Sequence, residues 1–195
     1  MVVEVRAAVV VMVEVVEEEV REVLVLTFLD QELLLVFRVV GVALAAAGPR
    51  EVGDMFLSKD DEFKVIEALR AAEAVTSGEI VLHIESSWPG DVYARAQHWF
   101  KKLKLDQTQD RNGVLILMLE KQRRFAIIGD LGIHRHVGQD FWTAQAQLLS
   151  DYLKQGKQAE GLCLLMTQIG EQLKAHFPHQ GDQDQNELSD NISHS

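Results

Sequence analysis

The 195-residue chain contains one cysteine, Cys163, so no intrachain disulfide framework can form, and no disulfide-linked partner is expected. Basic residues interleaved with aromatics into a stripe are also missing, and aromatics are only 7% of the residues, which excludes the usual nucleic-acid binder. No apolar run reaches the ~20 uninterrupted residues that a bilayer crossing requires. The stretch closest to it, "LLLVFRVVGVALAAAGPR" at 33–50, contains Arg38 and follows Asp30 and Glu32. A signal peptide fits poorly, because a basic n-region is lacking and the apolar run lies far from Met1, although "ALAAAG" mimics a cleavage site. There is no glycine loop opening a helix to cradle phosphate, and no serine or cysteine with a recognisable catalytic partner.

What is present is unevenly distributed. The net charge is −11, yet residues 55–177 hold 16 acidic and 15 basic side chains, so the middle of the chain is nearly neutral. Residues 1–54 contain 17 valines against six in the remainder, and no lysine precedes Lys59. Their β propensity is high, but they lack the turns and regular alternation that would fix a register. Three readings stay open for 1–54: a membrane anchor through residues 23–47, a docking or disordered extension, or an upstream translation ahead of a natural start at Met55. Residues 179–195 are polar, acidic and free of aromatics, and are expected to be disordered.

The middle segment reads as one domain, 55–178. Ser58 followed by Asp61 has capping-box spacing, and Phe63, Ile66, Leu69 and Ala72 or Ala74 then recur at helical period. "EIVLHIE" is a strand with Ile80, Leu82 and Ile84 on one face and Val81, His83 and Glu85 on the other. Asp91 caps a second helix over 92–103. "VLILMLE" is apolar on both faces, as in a strand covered from both sides, and "KQRR" joins it to "FAIIGD" through a connection long enough only for a hairpin. Asp140 is placed to cap a third helix, and a fourth runs over 159–177 until Pro178 stops it. The order αβαββαα predicts an α/β fold, a small mixed β-sheet sandwiched between helices.

That topology makes a specific demand on the polar residues. A right-handed βαβ unit followed by a hairpin brings the start of the first strand, the start of the second and the end of the third to a common edge. Ser77, Gly78 and Glu79 meet there with Asp110, Arg111, Asn112 and Gly113, and with Gly129, Asp130 and Gly132. Carboxylates beside an amide are the hard oxygen ligands that Ca2+ or Mg2+ prefers. The plainer alternative is a structural salt bridge of Arg111 with Glu79 or Asp130. Outside this edge, "HRH" at 134–136 offers two histidines without a third ligand, His83 reads as a packed core residue, Cys163 as a core thiol, and Trp88 as exposed at the opposite edge.

Taken together, "TSGEIVLHIE", "RNGVLILMLE", "RRFAIIGDLGI", the "FW" pair and "GLCLLMTQIGEQLKAHFP" resemble the TPM domain, a family named for thylakoid-lumen, photosystem-repair and receptor-modulating members. The resemblance spans about residues 56–178 and implies an α/β/α sandwich. It also implies roles that diverge among members: divalent-cation binding with weak acid phosphatase activity, or assembly and repair of membrane complexes through a protein partner. The family's polar edge maps by motif onto Glu79, Arg111, Asn112 and Asp130, with Asp140 as a further candidate. "GDLGIHRHVGQDFW" departs from the usual glycine, aromatic, glycine, acidic run, and the long C-terminal membrane segment of some members is absent, as in the short, soluble bacterial subgroup. The expectation is therefore a cytoplasmic binding or accessory domain in which Glu79, Asp130 and Asp140 hold Ca2+ or Mg2+ and Arg111 and Asn112 contact a ligand. The alternative is a metal-dependent phosphomonoesterase on the same edge.

Overall fold

The computed structural model describes residues 56–179 and 192–194, together with backbone strands at 8–16, 19–29 and 33–39. The sheet is ordered β3 (Leu33–Val39), β2 (Glu19–Leu29), β1 (Ala8–Val16), β6 (Arg124–Asp130), β5 (Val114–Leu119), β4 (Ile80–Glu85), β7 (Ser193–His194). Its heart is β4 (Ile80–Glu85), β5 (Val114–Leu119) and β6 (Arg124–Asp130), every residue of which is buried except Arg124, at half exposure. β4 and β5 run parallel and β5 and β6 antiparallel, as the crossover and hairpin require. Beyond β6, β1 (Ala8–Val16), β2 (Glu19–Leu29) and β3 (Leu33–Val39) continue the sheet in antiparallel steps. At the other edge β7 (Ser193–His194) pairs in parallel with His83 and Ile84. Ile192, just ahead of β7, is buried in the main core.

Two hydrophobic cores lie on opposite faces of the sheet. Ile80, Leu82, Ile84, Val114, Ile116, Met118, Phe125 and Ile127 face the larger one, which holds buried residues of α1 (Lys59–Glu73), α3 (Leu131–Lys154) and α4 (Gln158–His176). Val81, Leu115, Leu117, Leu119, Ala126 and Ile128 face the smaller, which α2 (Val92–Lys102) covers with Val92, Ala96, Trp99 and Phe100. The period of two along each strand thus produces the expected α/β/α sandwich. Among the described residues no helix is long and apolar enough to cross a membrane. The side chains of residues 23–47, where an anchor was considered, lie outside the described residues.

Local chemistry sets the helix starts. The Ser58 Oγ accepts from the Asp61 N–H at 3.2 Å, and the Asp91 carboxylate accepts from the Ala94 N–H at 2.7 Å, each satisfying an N–H that the helix itself leaves open. α1 buries Val65, Leu69 and Ala72, at i, i+4 and i+7, whereas Phe63 is 64% exposed. The inward stripe is therefore rotated from the one expected through Phe63. Close approach of α4 explains why: a Cβ on Gly170 would stand 2.7 Å from that of Ala72, so the small Ala72 must lie at the contact.

A second departure concerns α3. It starts at Leu131, capped by Asp130, rather than after Asp140, and breaks at Gly138, where φ is +71°. A left-handed backbone at that point suits glycine, since no Cβ is present to collide with the following carbonyl. Trp142, just past the break, is wholly buried, and its ring fills the space beside Gly129, where an added Cβ would come within 2.2 Å.

Candidate functional site: a polar rim at one end of the sheet

Backbone hydrogen bonds join the three segments expected to meet. The Val114 N–H donates to the Glu79 carbonyl at 2.7 Å, and the Asp130 N–H donates to the Gly113 carbonyl at 2.9 Å. Glu79, Gly113 and Asp130 consequently form a row across three strands, with the outer two roughly 10 Å apart at two strand spacings. Alternation along β4 and β6 puts both carboxylates on the face that α2 covers, and both are buried. Between them Gly113 leaves room for Leu105, whose carbonyl oxygen would stand 2.6 Å from a Cβ there.

Asp130 is fully buried and closely held. Its carboxylate accepts from Arg111 Nε at 2.5 Å and Arg111 Nη2 at 2.8 Å, and also from the Leu131 N–H at 2.7 Å. Arg111 adopts a left-handed backbone, φ +54°, and its carbonyl accepts from the N–H groups of Gly132 at 2.8 Å and Ile133 at 3.4 Å. One arginine therefore neutralises the cap residue with its side chain and satisfies the next helical N–H groups with its carbonyl. The first turn of α3 retains no open N–H at Leu131, Gly132 or Ile133 for an anion to occupy. Gly132 is required for this approach, because a Cβ on it would lie 2.0 Å from the Asp110 carbonyl oxygen.

Asn112 is differently placed. It is 1% exposed; its N–H donates to Thr108 Oγ1 at 3.1 Å and its Nδ2 reaches Ser77 Oγ at 3.4 Å, while its Oδ1 is buried with no hydrogen-bond partner. An orphaned amide oxygen in a desolvated position is costly, by about 1–3 kcal/mol. Asp140 is exposed, just after the Gly138 break. Among the described residues no three or more His, Cys, Asp or Glu side chains converge as a metal cage. Arg111 thus pairs with Asp130, and backbone hydrogen bonds join the segments that carry Glu79, Asn112 and Asp130.

The TPM domain pattern matches residues 53–172. The chain belongs to the TPM domain family. The match includes every rim residue and begins at the edge of the valine-rich segment. A comparison with curated proteins finds no match. Among solved structures, the NMR structure of the BA42 protein from the psychrophilic bacterium Bizionia argentinensis is similar at 36% identity and a TM-score of 0.68, covering 75% of this chain and 100% of that one. At that identity the likeness extends to sequence as well as fold.

The opposite end of the TPM sheet carries a polar cluster that sequence reasoning missed. Glu85 is buried, and Arg95 Nε lies 2.9 Å from each of its oxygens, with Arg95 Nη2 also donating to Oε1. Trp99 Nε1 donates to the same carboxylate at 2.8 Å, and the Trp99 ring lies against His83 at 3.8 Å between centroids. Arg95 in turn covers the Trp88 ring at 4.1 Å, so Trp88 is half-buried rather than exposed. Glu85 with its donors clamps α2 to β4. The available signal was the spacing of Arg95 and Trp99, one turn apart on the α2 face that crosses the strand. His83 is a core residue, as expected, and Cys163 is half-buried against the main core, which pushes its thiol above the usual range. Burial also pushes Tyr93 up to about 12 and lowers His134.

Proposed function

We propose that this TPM domain is a non-catalytic binding or accessory module whose rim takes a hard divalent cation, Ca2+ or Mg2+. The observation that carries the reading is the buried, unpartnered Asn112 Oδ1 on the middle of three segments, flanked by those bearing the buried carboxylates Glu79 and Asp130. Amide and carboxylate oxygens form the donor set that such cations select. Three donors already occupy Asp130, and a carboxylate offers about four lone-pair sites, so Asp130 can add one oxygen at most. Asn112 is then the leading protein ligand, with water completing the shell. A bound cation would supply local positive charge, and the chain's own residues would fix its position.

The same geometry weighs against phosphomonoester hydrolysis. A phosphoryl group needs donors at its oxygens, yet Arg111 presents its Nε and Nη2 to Asp130, and the leading N–H groups of α3 are satisfied internally. Isothermal calorimetry with each cation, paired with a phosphomonoesterase assay on the same protein, tests the reading. Saturable binding that Asn112→Ala weakens, without turnover, supports it. Metal-dependent turnover abolished by Asn112→Ala replaces it with the enzymatic alternative, and absence of binding refutes both.

A further inference from the structure

The "HRH" tripeptide lacks a third ligand in sequence, but the fold adds a histidine from 40 residues away. His134 and His136 sit two positions apart on the helical segment ahead of Gly138 and so point about 200° apart around its axis. His134 is half-buried, and its Nδ1 is enclosed. His136 is exposed and stacks on His176, in the last turn of α4, with ring centroids 4.4 Å apart and planes 16° from parallel. The Phe177 ring closes one side edge-on at 5.4 Å from His136. Two solvent-facing imidazoles on separate helices are thus held face to face.

We propose that His136 and His176 form a two-histidine surface site for a borderline transition-metal cation of the Zn2+, Ni2+ or Cu2+ class, linking the start of α3 to the end of α4. Neutral imidazole nitrogens suit these ions and not Ca2+ or Mg2+, so the site is chemically separate from the rim. Both side chains are exposed, and because an imidazole nitrogen donates in the plane of its ring, each ring turns about the soft χ2 torsion out of the stack to share one ion, a movement that leaves the core untouched. Water supplies the remaining ligands, consistent with the lack of a larger ligand group among the described residues. The site is therefore exchangeable rather than a permanent structural centre.

Titration of the full-length, tag-free protein with Zn2+, followed by histidine ring NMR and thermal unfolding, tests the proposal. The expected result is saturation at one equivalent, concerted shifts of the His136 and His176 rings with those of His83 and His98 unmoved, and a rise in Tm. His136→Ala and His176→Ala should each weaken apparent affinity at least tenfold, while His134→Ala leaves it unchanged and excess Ca2+ does not compete. No saturable Zn2+ binding, ring shifts centred on other histidines, or undiminished affinity in either alanine variant would overturn it.

Discussion

Replacing Arg111 by alanine gives the sharpest perturbation of the rim, because it strands a charge. Asp130 is fully buried whereas the Arg111 side chain is 27% exposed. Removing the arginine leaves a buried carboxylate held by the Leu131 N–H, and breaking a buried pair in this way costs about 3–5 kcal/mol. Asp130→Asn is expected to be milder: the amide oxygen still accepts at the helix start, and Arg111 can turn toward water, so about 1–2 kcal/mol is lost. The double variant should then be more stable than Arg111→Ala alone, since the stranded charge is gone. For a domain of this size the single arginine change corresponds to roughly 10–20 °C in Tm. Chemical denaturation of the four proteins, read by circular dichroism, measures the cycle. If Arg111→Ala costs less than about 1 kcal/mol, or if the pair shows no coupling, Arg111 is not the lock on α3 and its guanidinium is free for a ligand.

Other outcomes follow from individual contacts. Gly132→Ala, with its Cβ 2.0 Å from a backbone oxygen, should destabilise by more than about 3 kcal/mol, whereas Gly138→Ala, in open space but at φ +71° and ψ −179°, a backbone region that essentially only glycine populates, should cost about 1–3 kcal/mol; urea midpoints rank them. Burial holds the His134 imidazole below its ordinary value of 6.5, so as pH falls past that value the unfolded chain takes up a proton that the folded chain resists. Stability should be intact above this window and decline through it on acidification, and His134→Asn should flatten the decline in a Tm-versus-pH series. Deleting residues 1–54 should leave cooperative unfolding, with Tm changed by only a few degrees. The family match and the first helix cap both begin near that boundary. Loss of a cooperative transition would show that the N-terminal strands are integral.

How legible each part was depended on whether its cause is local. Ser58 and Asp91 announce their helices because a cap needs only neighbouring residues, and the doubly apolar β5 and short hairpin fix strand direction without further information. The common rim was readable because it follows from topology alone. The start of α3 was not: two glycines and two histidines over 131–138 look like a loop, and they become helical because Asp130 and the Arg111 carbonyl satisfy the N-terminal N–H groups from across the sheet. The α1 stripe was misjudged for a similar reason, since α4 selects Ala72 as its contact. Likewise, the Glu85 clamp emerges only once α2 is laid across β4.

The most direct test of the proposed cation-binding rim is amide NMR of the protein titrated with Ca2+. Saturable shifts concentrated at residues 77–79, 111–113 and 129–132, and lost in Asn112→Ala while the rest of the spectrum stays folded, are the predicted result. Shifts confined to other surfaces, or none up to millimolar Ca2+, would contradict it.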